Sequence, residues 1–130
     1  MLPEIFLAWS IAREAIGESH YGRQMVASEI VNRSVERKLS PVQVCKQHKQ
    51  YSAWNSKPSS RIILREIKAW QKKSPNEWGH CLELAVQIQH QLFTPISACT
   101  HHYNPELCSP SWKDNLLGKK IVGHHIFGRL

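Results

Sequence analysis

Residues 12–33 read AREAIGESHYGRQMVASEIVNR, two helical patterns meeting at a glycine-marked break. On the upstream side Phe6, Trp9, Arg13 and Ile16 form one line at helical spacing, and Leu7, Ile11 and Glu14 form another. Pro3 suits the first turn, and Glu4 beside it complements the positive end of the helix dipole. Gly17 ends this helix, and Gly22 lies in the turn that follows. Glu14 thus extends an apolar stripe and stops beside an opening. Desolvation there disfavours the charged carboxylate and raises its pKa, which suits a general acid. A lone helix glutamate is far more often a solvated surface charge, so the assignment depends on what surrounds it.

A second helix is expected over Arg23–Lys38, with Val26, Ile30, Val31 and Val35 as its apolar face. Ser40-Pro41 reads as a cap and first position of a short turn with Val42, Val44 and Cys45 inward. The segment 46–60, KQHKQYSAWNSKPSS, is polar, basic and aromatic. It holds too many turn formers for a long helix and reads as a loop with a function of its own. A third helix, Arg61–Lys73, carries Ile62, Ile63, Ile67 and Trp70, and Ser74-Pro75 stops it. A fourth, Glu77–Phe93, carries Cys81, Leu84, Ile88 and Leu92. From Ile96 the runs ISACTHHY and KKIVGHHIF are β-compatible and flank the loop NPELCSPSWKDNLLG. Residues 1–130 therefore read as a single catalytic domain of the α+β class: a mainly helical body with a small β or irregular C-terminal lobe.

The 130 residues suffice for one sizeable core, and a 42% hydrophobic fraction with five Trp indicates a folded globule. The net charge of +7 favours polyanions: nucleic acid, anionic membrane, or a cell wall rich in carboxylates and phosphates. Asp114 is the sole Asp beside nine Glu, which counts against Asp-rich Mg²⁺ or Ca²⁺ sites. The start, MLPEIFLAWSIARE, has an early acid, no basic n-region and an apolar run too short to span a bilayer, so no signal peptide is expected. Cys45, Cys81, Cys99 and Cys108 read as reduced thiols, with a Cys99–Cys108 pair open only in an oxidising compartment.

Eight His, four of them in the pairs His101-His102 and His124-His125, raise a zinc reading with Cys99 and Cys108. No CxxC or HExxH spacing supports it, and adjacent histidines on a strand face opposite ways. The alternatives to a glycan-cleaving enzyme are a His/Asn-type metal-dependent nuclease using Asn104 and a zinc-dependent cell-wall amidase. A Ser/His/Asp triad is poorly supported by one Asp and no G-x-S-x-G. A two-carboxylate glycosidase would need Glu18, Glu29 or Glu106 to face Glu14, and Glu18 is the near neighbour in sequence.

The ordered pieces Glu14, Gly17-Glu18, Gly22, Ala27, Asn32-Arg33, Cys45, QYSAWN (50–55), THHYNP (100–105), Pro110 with Trp112, and GHHIF (123–127) resemble the SleB-type cell-wall hydrolase family. That family includes spore-cortex-lytic enzymes and phage lysis proteins. The resemblance runs over about residues 7–128. Ile16 stands where an Arg is common in the family's G-E-A-R-G-E. The resemblance implies a lysozyme-like α+β fold, lytic transglycosylase activity on peptidoglycan, and one catalytic glutamate mapping onto Glu14.

That chemistry suits a chain poor in Asp, because one carboxyl group serves as acid and then as base. Tyr51, Trp54 and Tyr103 would offer stacking faces to sugar rings. Gln50, Asn55 and Asn104 would bond acetamido groups, with Glu18 and His101 as further substrate contacts. No metal and no cofactor is called for. The expected partner is the peptidoglycan glycan strand, not nucleic acid, with no stable membrane insertion and the chain acting as a monomer. A phage lysis enzyme (endolysin), held in the host cytoplasm until release to the cell wall or periplasm, fits these features.

Overall fold

The structure, a computed structural model, describes residues 1–47 and 57–130. Gln50, Tyr51, Trp54 and Asn55 lie outside the described residues. Five helices are described: α1 (Pro3–Ala15), α2 (His20–Arg37), α3 (Pro41–Cys45), α4 (Ser60–Lys73) and α5 (Pro75–Gln89). Three strands follow, β1 (His101–Tyr103), β2 (Leu117–Val122) and β3 (His125–Arg129), with a short 3₁₀ turn over Lys113–Asn115 before β2. The architecture is mainly helical α+β, with its small antiparallel sheet at the C-terminal end. None of the described helices is long and apolar enough to cross a membrane.

Helix α1 is the axis of the core. Phe6 through Ala12 are all buried, as a helix apolar on most sides must be. It packs chiefly along α5 and also meets α2 and α3. Trp9 and Ile11 join Met25, Val26 and Ile30 of α2, Val44 of α3, and Phe127 of β3 in one apolar cluster. Phe127 of β3 and Val122 of β2 root the sheet in this core. Helix α4 docks from outside: Glu66 accepts from Trp9 Nε1 at 3.3 Å and from Arg13 at 3.0 Å. Trp70 and Trp78 stack 5.9 Å apart between α4 and α5.

Three expectations are corrected. Helix α2 starts at His20, so Gly22 is helical rather than part of the turn. The cause is Ser19, whose hydroxyl caps the helix by accepting from Gly22 N at 3.0 Å. Val35 is exposed, and the inward face of α2 carries Glu29 and Arg33 beside Met25, Val26 and Ile30. Helix α5 begins at Pro75, which takes the first helical position, and ends at Gln89. Gln91 then turns left-handed with φ 59°, which leaves Leu92 exposed instead of continuing the stripe.

The sheet order is β1-β3-β2, both pairings antiparallel. His102 faces Phe127 in register, and Val122 faces His125 across a two-residue turn. Asn32 ties α2 to the chain entering β1, because its amide donates to Ser97 O at 2.9 Å and Cys99 O at 2.8 Å. Asn32→Ala is expected to lower stability by about 1–3 kcal/mol through the carbonyls left unsatisfied. Chemical denaturation checks the loss, and near-wild-type helical content by far-UV circular dichroism is the accompanying expectation.

Candidate active site

A cleft of about 1020 Å³ opens where the end of α1, the α1–α2 turn, β1, the loop after it and the β2–β3 turn converge. Glu14, Glu18, His101, Tyr103 and Asn104 all line it, joined by His102, Trp112 and His125. Of the site residues expected from sequence, the described ones thus meet at one place. The aromatic wall is built around Trp112, with His101 edge-on at 5.0 Å and Tyr103 edge-on at 5.7 Å. Such an amphipathic aromatic surface is what a sugar ring stacks on.

Behind Glu14 lies a buried row of three ionisable groups. His102 Nδ1 is 2.9 Å from Glu29 Oε2 and 3.0 Å from Oε1, and its Nε2 is 3.4 Å from Glu14 Oε2. The side chains are 0% (Glu29), 7% (His102) and 10% (Glu14) exposed. Phe127 stacks on the imidazole at 5.1 Å, and Arg33 comes within 3.9 Å of Glu29. Burial by itself would push the His102 pKa down. The carboxylates of Glu29 and Glu14 overcome it and carry the value from 6.5 up to about 10. A raised pKa favours the imidazolium, which can donate from Nδ1 to Glu29 and from Nε2 to Glu14.

Its neighbours stay neutral. Burial and the Arg33 charge push His101 down to about 4, and its Nδ1 lies 2.9 Å from Thr100 Oγ1. Burial and the His102 charge lower His125 as well. The Cys45 thiol is pushed up to about 12 by burial and stays protonated. All four cysteines are free, with Cys108 the exposed one.

Glu18 is committed to the hairpin. Its Oε1 accepts from His124 N at 3.1 Å, and the rings of His124 and His125 approach it at 3.1 and 3.4 Å. The carboxylate lies directly over Gly123, the first residue of the two-residue turn, at φ 60°. Any Cβ there would collide with Glu18 Oε2. The Asn104 side-chain oxygen accepts from Glu106 N at 3.0 Å and so shapes the loop at the cleft edge. Among the described residues no three of His, Cys, Asp or Glu are placed to hold a metal ion.

Sequence reasoning did not single out His102 or Trp112 for the site, and named Glu29 only as a residue that could face Glu14. A signal for Glu29 and His102 existed. Glu29 falls on the buried side of α2 one turn before Arg33, and a carboxylate there needs a partner. Period-2 alternation says that one of His101 and His102 faces inward, without saying which.

A comparison with protein families matches the family described as Cell Wall Hydrolase over residues 17–128. Glu18, the histidines and the aromatic wall fall inside that span, and Glu14 lies three residues before it. No curated protein and no solved structure matches the chain.

Gly123→Ala is expected to cost about 1–3 kcal/mol, from the left-handed φ and the displaced carboxylate together. Denaturant unfolding measures it, and faster amide exchange in β2 and β3 should accompany it. The His102 shift adds a pH dependence. Its folded pKa is raised, so its contribution to stability is complete below the ordinary value of 6.5 and lost as pH rises through about 10. Thermal stability across that window should fall more steeply in the wild type than in His102→Gln.

Proposed function

The chain belongs to the SleB-type cell wall hydrolase family, whose substrate is peptidoglycan, and on that premise we propose that it is a lytic transglycosylase in which Glu14 is both acid and base. The bond broken joins N-acetylmuramic acid to N-acetylglucosamine. The carboxyl group of Glu14 protonates the glycosidic oxygen, and the C1–O bond breaks through an oxocarbenium-like state. The muramic acid 6-hydroxyl attacks C1, its proton passes to the Glu14 carboxylate, and a 1,6-anhydro ring closes. Atoms and protons balance without water, and Glu14 ends as it began.

The carrying observation is the fate of the other carboxylates at the cleft. Glu18 is held by the hairpin, and Glu29 is sealed behind His102. Hydrolysis by either two-carboxylate route needs a second group facing the sugar, as base for water or as nucleophile. Capture by the sugar's own hydroxyl needs none. Tyr103 and Trp112 supply the stacking wall, and the +7 chain charge favours an anionic envelope. These features suit a phage-type lysis enzyme that works on glycan strands as a monomer, at the cell wall or periplasm.

Glu14→Gln should abolish clearing of purified peptidoglycan while leaving the fold intact by far-UV circular dichroism. Activity above about one per cent of wild type would remove Glu14 from the acid role, given the 10²–10⁴-fold that general acid catalysis contributes. Mass spectrometry of the digest should find 1,6-anhydro muropeptides. Reducing-end products in their place would identify a hydrolase.

A further inference from the structure

Glu29 has no place in the chemistry just described, and a buried carboxylate is a costly way to fill a core. A carboxylate with no solvent exposure, in a core otherwise built from Met25, Val26 and Ile30, costs several kcal/mol to desolvate. An apolar residue of similar volume at such a position is often neutral or stabilising. His102 is a second buried charge in the same place, and the two are within hydrogen-bond distance through both Glu29 oxygens. The imidazole plane is fixed by Phe127 on its face and His125 at its edge, 5.0 Å away. Its far nitrogen is aimed at one oxygen of Glu14.

We infer that the Glu29–His102 pair is a positioning device for Glu14: Glu29 keeps His102 charged and fixed in plane, and the imidazolium holds Glu14 Oε2 and stabilises the carboxylate left after proton donation. The inference rests on the acid/base reading of Glu14 given above. As the glycosidic oxygen takes the proton, negative charge develops on Glu14, and a preorganised charged donor beside it is worth most in a water-poor site. A lone cation would hold that charge too well and hinder the return of the proton from the 6-hydroxyl. The negative charge of Glu29 behind the imidazolium limits that excess.

The charged and titratable groups around the row come from every surrounding element: Glu14 from α1, Glu29 and Arg33 from α2, the Cys45 thiol, near Glu14 and Glu29, from α3, and His101 and His125, both with lowered pKa, from β1 and β3. Arg33 Nη2 lies 3.9 Å from Glu29 Oε1, one helical turn away. Once Glu14 has given up its proton, the two carboxylates and two cations of this row sum to zero among the described residues, which suits a charge formed away from water.

The experiment has two readouts. ¹⁵N NMR of the wild type should find both His102 ring nitrogens in the imidazolium state at pH 8, and in Glu29→Gln the ring should titrate near the ordinary histidine range. In pH profiles of kcat on purified peptidoglycan, the limb where activity falls with rising pH reports loss of the Glu14 proton. His102→Gln should move that limb up by roughly one pH unit and lower kcat about tenfold or more with KM little changed. Glu29→Gln should move it in the same direction, and the double variant should add little, because both substitutions remove one cation from beside Glu14. Neutral imidazole in the wild type at pH 8 overturns the inference, as does a His102→Gln profile scaled down without a shift. The NMR readout needs no substrate, so failure of the Glu14 reading, seen as activity in Glu14→Gln, is distinguished from failure of the pair.

Discussion

A buried imidazolium with a carboxylate on each side holds together three parts of this protein that the chain order keeps apart. Glu14 ends α1, Glu29 lies in the middle of α2, and His102 sits on the edge strand β1, more than seventy residues later. Each charge is tolerable only because the others are within reach, since an isolated ion in such surroundings would cost several kcal/mol. The arrangement therefore constrains how the sheet docks on the helices. Phe127 and Val122 bring the sheet to the core through apolar contact, and His102 meets Glu14 and Glu29 beside them.

The same logic governs the hairpin. Glu18 sits in the turn between α1 and α2 and accepts from the backbone and rings of the β2–β3 turn. Gly123 makes the contact possible twice over: it takes a left-handed φ, and it lacks the Cβ that would fill the carboxylate's place. Two glutamates four residues apart thus do different work. One closes the cleft by holding its far wall, and the other faces the substrate space from the floor.

Protonation differs sharply among histidines that are neighbours in sequence or in space. Two carboxylates raise the pKa of His102, whereas burial and nearby cations lower those of His101 next to it and His125 at its edge. His102 lies between Glu14 and Glu29, while His125, in contact with the same ring, has the His102 charge beside it. Strand alternation puts His102 against the glutamates and His101 against Thr100 and Trp112.

Much of the fold was legible before any coordinates. Helical spacing from Phe6 to Ile16, Pro3 near the start and the break at Gly17 locate α1 and place Glu14 at its end, because these signals are local in the chain. The texture change after Ile96 likewise announces strands, and the ordered motifs from Glu14 to GHHIF announce the family. Boundaries were less legible: Ser19 captured α2 three residues early, and a left-handed Gln91 cut α5 short, each through a single backbone event that periodicity does not register. Which carboxylates line the cleft, which histidine lies between two of them and that Glu29 is buried were decided only by the tertiary structure. Those properties depend on desolvation and on charges brought together from distant segments, and neither exists until the chain has folded.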